Sequence, residues 1–234
     1  MTPTPMPRRE HRYRDRADAG IQLAAALATR KNGDLLVLAI PRGGVPVAAE
    51  VARSLGAELD IIVARKLGAP FEPELALGAV TADGTLFLNH DVIKDLGITD
   101  ELLNAIIARE REVARQREER LRGSRPPASI ARRTVILVDD GLATGATMRA
   151  AAQSVRKRQP RKLIVAVPVG SREACEALRQ DADDVVCLMT PDPFWAVGLY
   201  YADFSPVSDE EVSAILASFP TSSSAPSTPA TANG

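Results

Sequence analysis

Residues 135–147 read VILVDDGLATGAT. Four apolar residues run straight into two carboxylates, Asp139 and Asp140, and a loop with two glycines and two threonines follows. A short, continuously apolar run is what a parallel strand covered on both faces looks like. The residues after Gly145, ATMRAAAQSVRKR, read as a helix rich in good helix formers. The expected local order is therefore buried strand, acidic turn, glycine loop, helix. Two adjacent acids at the end of a buried strand cannot both be desolvated cheaply; they need hydroxyl donors, a cation or water.

The loop supplies a second clue. A loop that opens a helix presents backbone N–H groups and the positive end of a helix dipole, which together bind phosphate. Thr144 and Thr147 add hydroxyl donors, and Gly145 lets the backbone approach an anion closely. Acids for hydroxyl groups beside amides for a phosphate suit a sugar phosphate. A P-loop is excluded, because the glycines are one residue too close and no lysine follows Gly145. The three-glycine dinucleotide fingerprint has a different spacing. A plain strand-to-helix turn capped by Thr144 would leave the acids unexplained.

Working outward, the same alternation recurs. LLVLAI (35–40), LDIIVAR (59–65), RRTVILVD (132–139), KLIVAVPVG (162–170) and DDVVCLM (183–189) read as strands. ADAGIQLAAALATR, VPVAAEVARSLG (ended by Gly56) and SREACEALRQ read as helices, as does SDEEVSAILASF with Ser208 and Glu211 spaced for a capping box. ALGAVTADGTLFLN (76–89) reads as a hairpin turning at Asp83-Gly84. TDELLNAIIAREREVARQREERLRG is a long helix with Thr99 as N-cap; its Leu102, Leu103, Ile106, Ile107, Val113 and Leu121 keep helical spacing, and its Glu and Arg residues suit a solvated face. The fold class expected is α/β, a mainly parallel central sheet flanked by helices.

The bulk numbers narrow the function classes. The chain has 234 residues and a formal net charge of −1, which gives no global bias toward nucleic acid or anionic membrane. No apolar run approaches the roughly 20 residues of a membrane span, and the N-terminal MTPTPMPRREHRYRDR lacks the apolar centre of a secretory signal. Cys175 and Cys187 are too few for a disulfide framework or zinc site and read as small buried hydrophobes. A cytoplasmic protein is expected. Residues 1–12, with their Pro and Arg content, and the Ser/Thr/Pro/Ala-rich 219–234 read as tails. The basic cluster Arg8, Arg9, Arg12, Arg14, Arg16 reads as solvated, diluted by Glu10, Asp15 and Asp18.

VILVDDGLATGAT resembles the motif that binds phosphoribosyl diphosphate (PRPP) in type I phosphoribosyltransferases: four apolar residues, two acids, a variable stretch, then Thr-Gly-x-Thr. The resemblance covers most of residues 13 to about 216. It implies that family's fold over 13–218, with a flexible flap and hairpin at 66–90 and a hood at 190–207. It implies transfer of the 5-phosphoribosyl group to a nitrogen nucleophile with release of pyrophosphate, and Mg2+ as the metal. Asp139 and Asp140 would orient the ribose hydroxyls and hold the metal, mostly through water. Ala143, Thr144, Gly145, Ala146 and Thr147 would anchor the 5′-phosphate. PRGGVPVA (41–48) resembles the pyrophosphate loop, so Arg42, Gly43 and Gly44, with Arg65 and Lys66, would meet the leaving group; Arg42 and Lys66 join the acids as catalytic candidates. In TPDPFWAVGLYYADF (190–204), Phe194, Trp195 and Val197 would form the hood over the base, although capping the core is an equal alternative for those aromatics. Asp203 falls one residue later than the related pattern.

One departure bears on the acceptor. The 6-oxopurine enzymes carry an Asp immediately before the Thr-Gly pair, and this chain has Ala143. Glu72 and Glu74 in the flap are candidate bases. PRGGVPVA, RKLGAPFEPELALGAV and PDPFWAVGLYYADF together resemble a subgroup of bacterial phosphoribosyltransferases with no assigned acceptor. The partners expected are PRPP and a small nitrogenous base, with neither membrane nor nucleic acid, and a homodimer. The alternative is a regulator on the same fold that senses PRPP or a nucleotide. Only KRQPRK (157–162) and the N-terminal cluster offer it a compact basic patch.

Overall fold

The computed structural model describes residues 12–30, 33–73 and 75–220. The N-terminal tail expected at 1–12 lies, but for Arg12, outside the described residues, as does 221–234 of the C-terminal one.

Five parallel strands form the central sheet: β1 (Leu35–Ala39), β2 (Glu58–Ile61), β6 (Thr134–Val138), β7 (Lys162–Val169) and β8 (Asp184–Met189), in the order β2-β1-β6-β7-β8. The apolar runs are continuous because both faces are covered. Ile136 and Val138 of β6 face one core with α1 (Arg16–Leu27), α2 (Gly44–Leu55) and α7 (Asp209–Ala217). Val135 and Leu137, one residue out of phase, face the other with α5 (Ala146–Lys157) and α6 (Arg172–Ala177). The fold class is the one expected.

The helix ends follow local rules. Asp15 accepts from the Asp18 amide at 2.8 Å, Thr99 from Leu102 at 3.3 Å and Ser208 from Glu211 at 3.0 Å. Gly56 ends α2 in the left-handed region (φ +64°). Arg125 donates to the carbonyl oxygens of Leu216 (2.8 Å) and Phe219 (2.6 Å) at the exit of α7. Phe219, placed at the start of a tail by its sequence context, packs into the α1/α2/α7 core instead.

LDIIVAR is not one strand. The chain leaves the central sheet after Ile61 and re-forms as β3 (Ala64–Gly68), which joins β4 (Ala76–Thr81) and β5 (Leu86–Leu88) in a separate antiparallel sheet. The corner residues Ile62 and Val63 are both buried, so apolar composition persists across the bend and no Gly or Pro marks it. Arg65 and Lys66 therefore lie within β3, not at the end of a central strand. Leu67, Leu77 and Val80 of this sheet pack on Leu103 and Ile106 of α4 (Asp100–Arg122), while Ala76 and Ala79 meet Ala146 and Ala150 of α5 on the other face. Leu102 and Val113 of α4 remain exposed, and Ala114 and Leu121 reach the main core. A short helix, α3 (His90–Asp95), follows β5; Asn89 caps it. Among the described residues of 66–90, the longest exposed run is 70–73 in the turn after β3, where Phe71 is 98% accessible.

The Asp83-Gly84 turn is tied to α5 through one carboxylate. Asp83 accepts from Thr81 Oγ1 (2.5 Å), Ser154 Oγ (2.5 Å), the Thr85 amide (3.0 Å) and Arg158 (2.9 Å). Burial alone would raise its pKa, but these donors outweigh burial and hold it below the usual carboxylate range. An acid whose folded pKa is depressed contributes stability above its unfolded pKa and loses it as pH falls toward the folded value. Asp83→Ala should lower the unfolding free energy by about 1–3 kcal/mol in urea at pH 7. The gap between variant and wild type should narrow below about pH 4.

Candidate active site

Asp139 and Asp140 stand where β6 ends. The loop beyond them is pinned from behind: the Leu142 amide donates to Val169 O (2.9 Å), the Ser171 amide to Leu142 O (2.8 Å) and Ser171 Oγ to Ala143 O (2.9 Å). Gly145 adopts φ +78°, a conformation that a side chain would strain, and helix α5 begins at the next residue. Arg149 donates the helix-opening bond to Gly145 O (2.8 Å), so the amides of 145–148 precede the helical ladder. Ala143 and Thr144 are exposed beside them. Carboxylates and helix N-terminus thus share one seven-residue loop at the carboxyl edge of the sheet.

The second loop, from β1 to α2, packs flush against the acids. A Cβ at residue 43 would run into the Asp140 carboxylate, and one at residue 44 would come within 2.9 Å of both Asp139 Cα and Val138 O. The glycine pair is therefore required by close approach to the acids, whatever ligand binds. The Gly44 amide donates to Ile40 O (3.2 Å) and so points inward. The Pro41–Arg42 peptide is cis. Arg42 is half-exposed with Nη1 3.6 Å from Asp209 Oδ1, a carboxylate that also pairs with Arg117 (3.5 Å) and Arg120.

Arg65 and Lys66 point to opposite faces. Arg65 donates from Nε (3.0 Å) and Nη2 (2.8 Å) to Glu110 of α4, away from the loop at 139–145. Lys66 is paired across the strands with Ala79, whose side chain packs against Ala146 at the start of α5. Of the two, only Lys66 lies on the side facing the start of α5.

The hood is fastened directly to the acid loop. Val197 packs so closely on Gly141 that any Cβ there would collide with it. Tyr201 OH donates to Asp140 O at 2.5 Å. Phe194 stacks on Tyr200 (centroids 5.7 Å apart, 17° between planes), which makes it part of the hood's own core. Trp195 is 59% exposed and available to a ligand. Asp203 accepts from the amide and hydroxyl of Ser205 (2.9 and 2.5 Å), a local turn.

One residue was missed by the sequence reading. Arg16, assigned there to a solvated basic cluster, is only 11% exposed and donates from Nε to Asp140 Oδ2 at 2.8 Å. The only signal in the sequence was Asp15 as an N-cap, which starts α1 at Arg16. The thiols of Cys175 and Cys187 are free and flank Gly170 behind the phosphate loop. Glu72 is exposed in the turn after β3; Glu74 lies outside the described residues.

The two acids perturb each other. Burial, then the neighbouring Asp140 charge, raises the Asp139 pKa well above the carboxylate range. Burial also raises that of Asp140, against the opposing pull of Arg16.

Residues 14–204 match the model of the phosphoribosyl transferase domain. The chain belongs to the phosphoribosyl transferase family. Two Mycobacterium tuberculosis proteins with a provisional phosphoribosyl transferase name, from strains CDC 1551/Oshkosh and H37Rv, are each 45% identical over 204 residues. Those matches cover 87% of this chain but 46% of the relatives, so the chain spans about half the length of the curated relatives it matches. The crystal structure of protein TT1426 from Thermus thermophilus is 51% identical and superposes with a TM-score of 0.75 over 88% of this chain and 97% of that one. Among the described residues no helix is long and apolar enough to cross a membrane, and no group of three or more His, Cys, Asp or Glu residues is arranged to hold a metal.

The chain holds its two crowded acids at a cost to its own stability. An acid whose folded pKa is raised costs nothing below its unfolded pKa and progressively more as pH climbs through the folded value. Asp139→Asn keeps the oxygen that accepts from the Asp140 amide (2.8 Å) and removes the repulsion. It should melt higher than wild type at pH 8, by on the order of 1 kcal/mol, and the advantage should fade as pH is lowered toward 4.

Proposed function

We propose that this chain transfers the 5-phosphoribosyl group of PRPP to a nitrogen of a small base, releasing pyrophosphate. The observation that carries this reading is the shared loop: paired carboxylates at 139–140 lead directly into an anion-binding helix start at 144–147. Such a loop is suited to hold a sugar by its hydroxyl groups and by its phosphate at once.

The transferase bond to C1 breaks as positive charge grows on the ribose and negative charge on the leaving pyrophosphate. Catalysis then rests on charges placed in advance. Asp139 and Asp140 accept the ribose hydroxyls and face the developing cation. The amides and hydroxyls of 144–147 hold the 5′-phosphate, and that remote anchorage supplies binding energy usable at C1. Lys66, on the phosphate-loop side of β3, and Arg42, half-exposed in the loop whose glycines pack on the acids and paired there with Asp209, meet the leaving group. Arg65 supports Lys66 indirectly, by tying β3 to α4 through Glu110.

A pair of carboxylates suits Mg2+, which keeps several waters and takes further oxygens from a phosphorylated substrate. Asp139 and Asp140 would hold it, mostly through water, and when bound it would neutralise charge on the pyrophosphate.

The acceptor would stack on Trp195, the exposed aromatic of the hood, with Val197 fixing the hood over Gly141. Ala143 offers no proton acceptor, so the acceptor either needs none or meets a carboxylate such as Glu72 from the β3–β4 turn.

PRPP with Mg2+ should raise the melting temperature by several degrees. Asp140→Asn or excess EDTA should abolish the rise; an unchanged rise in the variant would overturn the reading. Acceptors can be screened by pyrophosphate release against purines, pyrimidines and small amines, and by quenching of Trp195, the single tryptophan in the chain. Trp195→Ala should raise the KM for the acceptor about tenfold, the worth of one stacked base, and leave the KM for PRPP within twofold or so.

A further inference from the structure

Arg16 makes three contacts with one planar group. Its Nε donates to Asp140 Oδ2 (2.8 Å), its Nη1 donates to Ser205 O (2.8 Å), and the guanidinium carbon lies 3.9 Å from the centroid of the Phe204 ring. The segment that carries it is held as firmly. Tyr13 N donates to Tyr200 O (2.9 Å), Ala202 N to Tyr13 O (2.8 Å) and Asp203 N to Arg14 O (2.8 Å), while Tyr13 OH donates to Pro168 O (2.8 Å). Residues 13–16 thus run as a strap along the hood and end with Arg16 inserted at the acid pair.

The consequence lies in which oxygens remain. Asp139 Oδ1 accepts from the Asp140 amide (2.8 Å) and lies against Gly44. Asp140 Oδ2 accepts from Arg16 and lies against Gly43. Among the described residues no N–H or hydroxyl group donates to Asp139 Oδ2 or Asp140 Oδ1, and the two carboxyl groups lie within hydrogen-bonding reach of each other. Each carboxylate therefore keeps one oxygen held by an N–H donor and one without such a donor.

We infer that Arg16 is a positioning residue of the sugar site: by occupying Asp140 Oδ2 it leaves the pair with one open acceptor on each acid, a two-point face matched to the vicinal hydroxyls of a ribose. The inference rests on the sugar-phosphate reading of the loop and adds a residue to it. Without Arg16 the Asp140 carboxylate is free to rotate, and its two oxygens compete for one hydroxyl. Arginine suits the task and lysine does not, because the planar fork holds Asp140 and Ser205 O in fixed relation while its face rests on Phe204. A lysine has one ammonium for both acceptors and no flat face.

Calorimetry with three probes, each without metal, tests this: ribose 5-phosphate, 2-deoxyribose 5-phosphate and inorganic pyrophosphate. In Arg16→Met, ribose 5-phosphate should bind about tenfold more weakly, the scale of one lost charge-assisted hydrogen bond. Pyrophosphate, which has no hydroxyls for Asp140 to hold, should bind as to wild type. The affinity ratio between ribose 5-phosphate and its 2-deoxy analogue should shrink in the variant, since the two changes act on one contact. Arg16→Lys, which keeps the charge, should show the same pattern at smaller amplitude, and it carries the comparison if Arg16→Met does not fold. Equal weakening of ribose 5-phosphate and pyrophosphate would mean that Arg16 only fastens the hood, and no weakening would mean that it does nothing here; either overturns the inference. If wild type bound none of the three probes, the sugar-phosphate reading would fall and the inference with it.

Discussion

The interaction on which this structure turns is the repulsion between two neighbouring carboxylates at the end of a buried strand. Asp139 and Asp140 are held close to each other and partly withdrawn from water, and their raised pKa values record the cost. Much of the surrounding detail manages that cost. Gly43 and Gly44 bring a backbone loop flush against the acids, the Asp140 amide takes one Asp139 oxygen, and the Arg16 guanidinium takes one Asp140 oxygen. Perturbed acids of this kind cluster at functional sites, which is why the pair carries the proposed sugar-phosphate reading.

Around the acids, rigidity is uneven. The five-stranded sheet is covered by helices on both faces, and its strands β1 and β6 are wholly buried. The hood is locked to the same loop through Val197 on Gly141, Tyr201 on Asp140 O, and Arg16 between Asp140 and Ser205. The antiparallel sheet of β3, β4 and β5 is wedged between α4 and α5, so what remains exposed near Lys66 is the turn with Phe71. Hood and acid loop form one unit, and a change of shape falls most cheaply on the exposed β3–β4 turn.

The chain belongs to the phosphoribosyl transferase family; the Mycobacterium tuberculosis relatives are about twice as long, whereas the Thermus thermophilus structure is matched over 97% of its chain. In the proposed reading the acid pair and the helix start hold the sugar phosphate, and the exposed Trp195 and the missing acid at Ala143 bear on the acceptor, where members of a fold differ.

Local chemistry was legible in the chain itself. The strand ending in two acids, the helix opened at Gly145, the caps at Thr99 and Ser208 and the two-sided burial of the sheet all follow from short-range pattern, because capping, turn conformation and apolar periodicity act over a few residues. What pattern could not reach was direction and distance in space. LDIIVAR stays apolar through its corner at Ile62 and Val63, so nothing in its composition separates β2 from β3, and with that corner goes the opposite facing of Arg65 and Lys66. Phe219 looked like the start of a tail until the core closed over it. Arg16 looked solvated because its neighbours in sequence are charged. Its partner Asp140 is 124 residues away, and only the packing of α1 and the hood onto the end of β6 brings that carboxylate within 2.8 Å. An ion pair between distant segments leaves no periodic trace in either one, and so only the tertiary structure decided it.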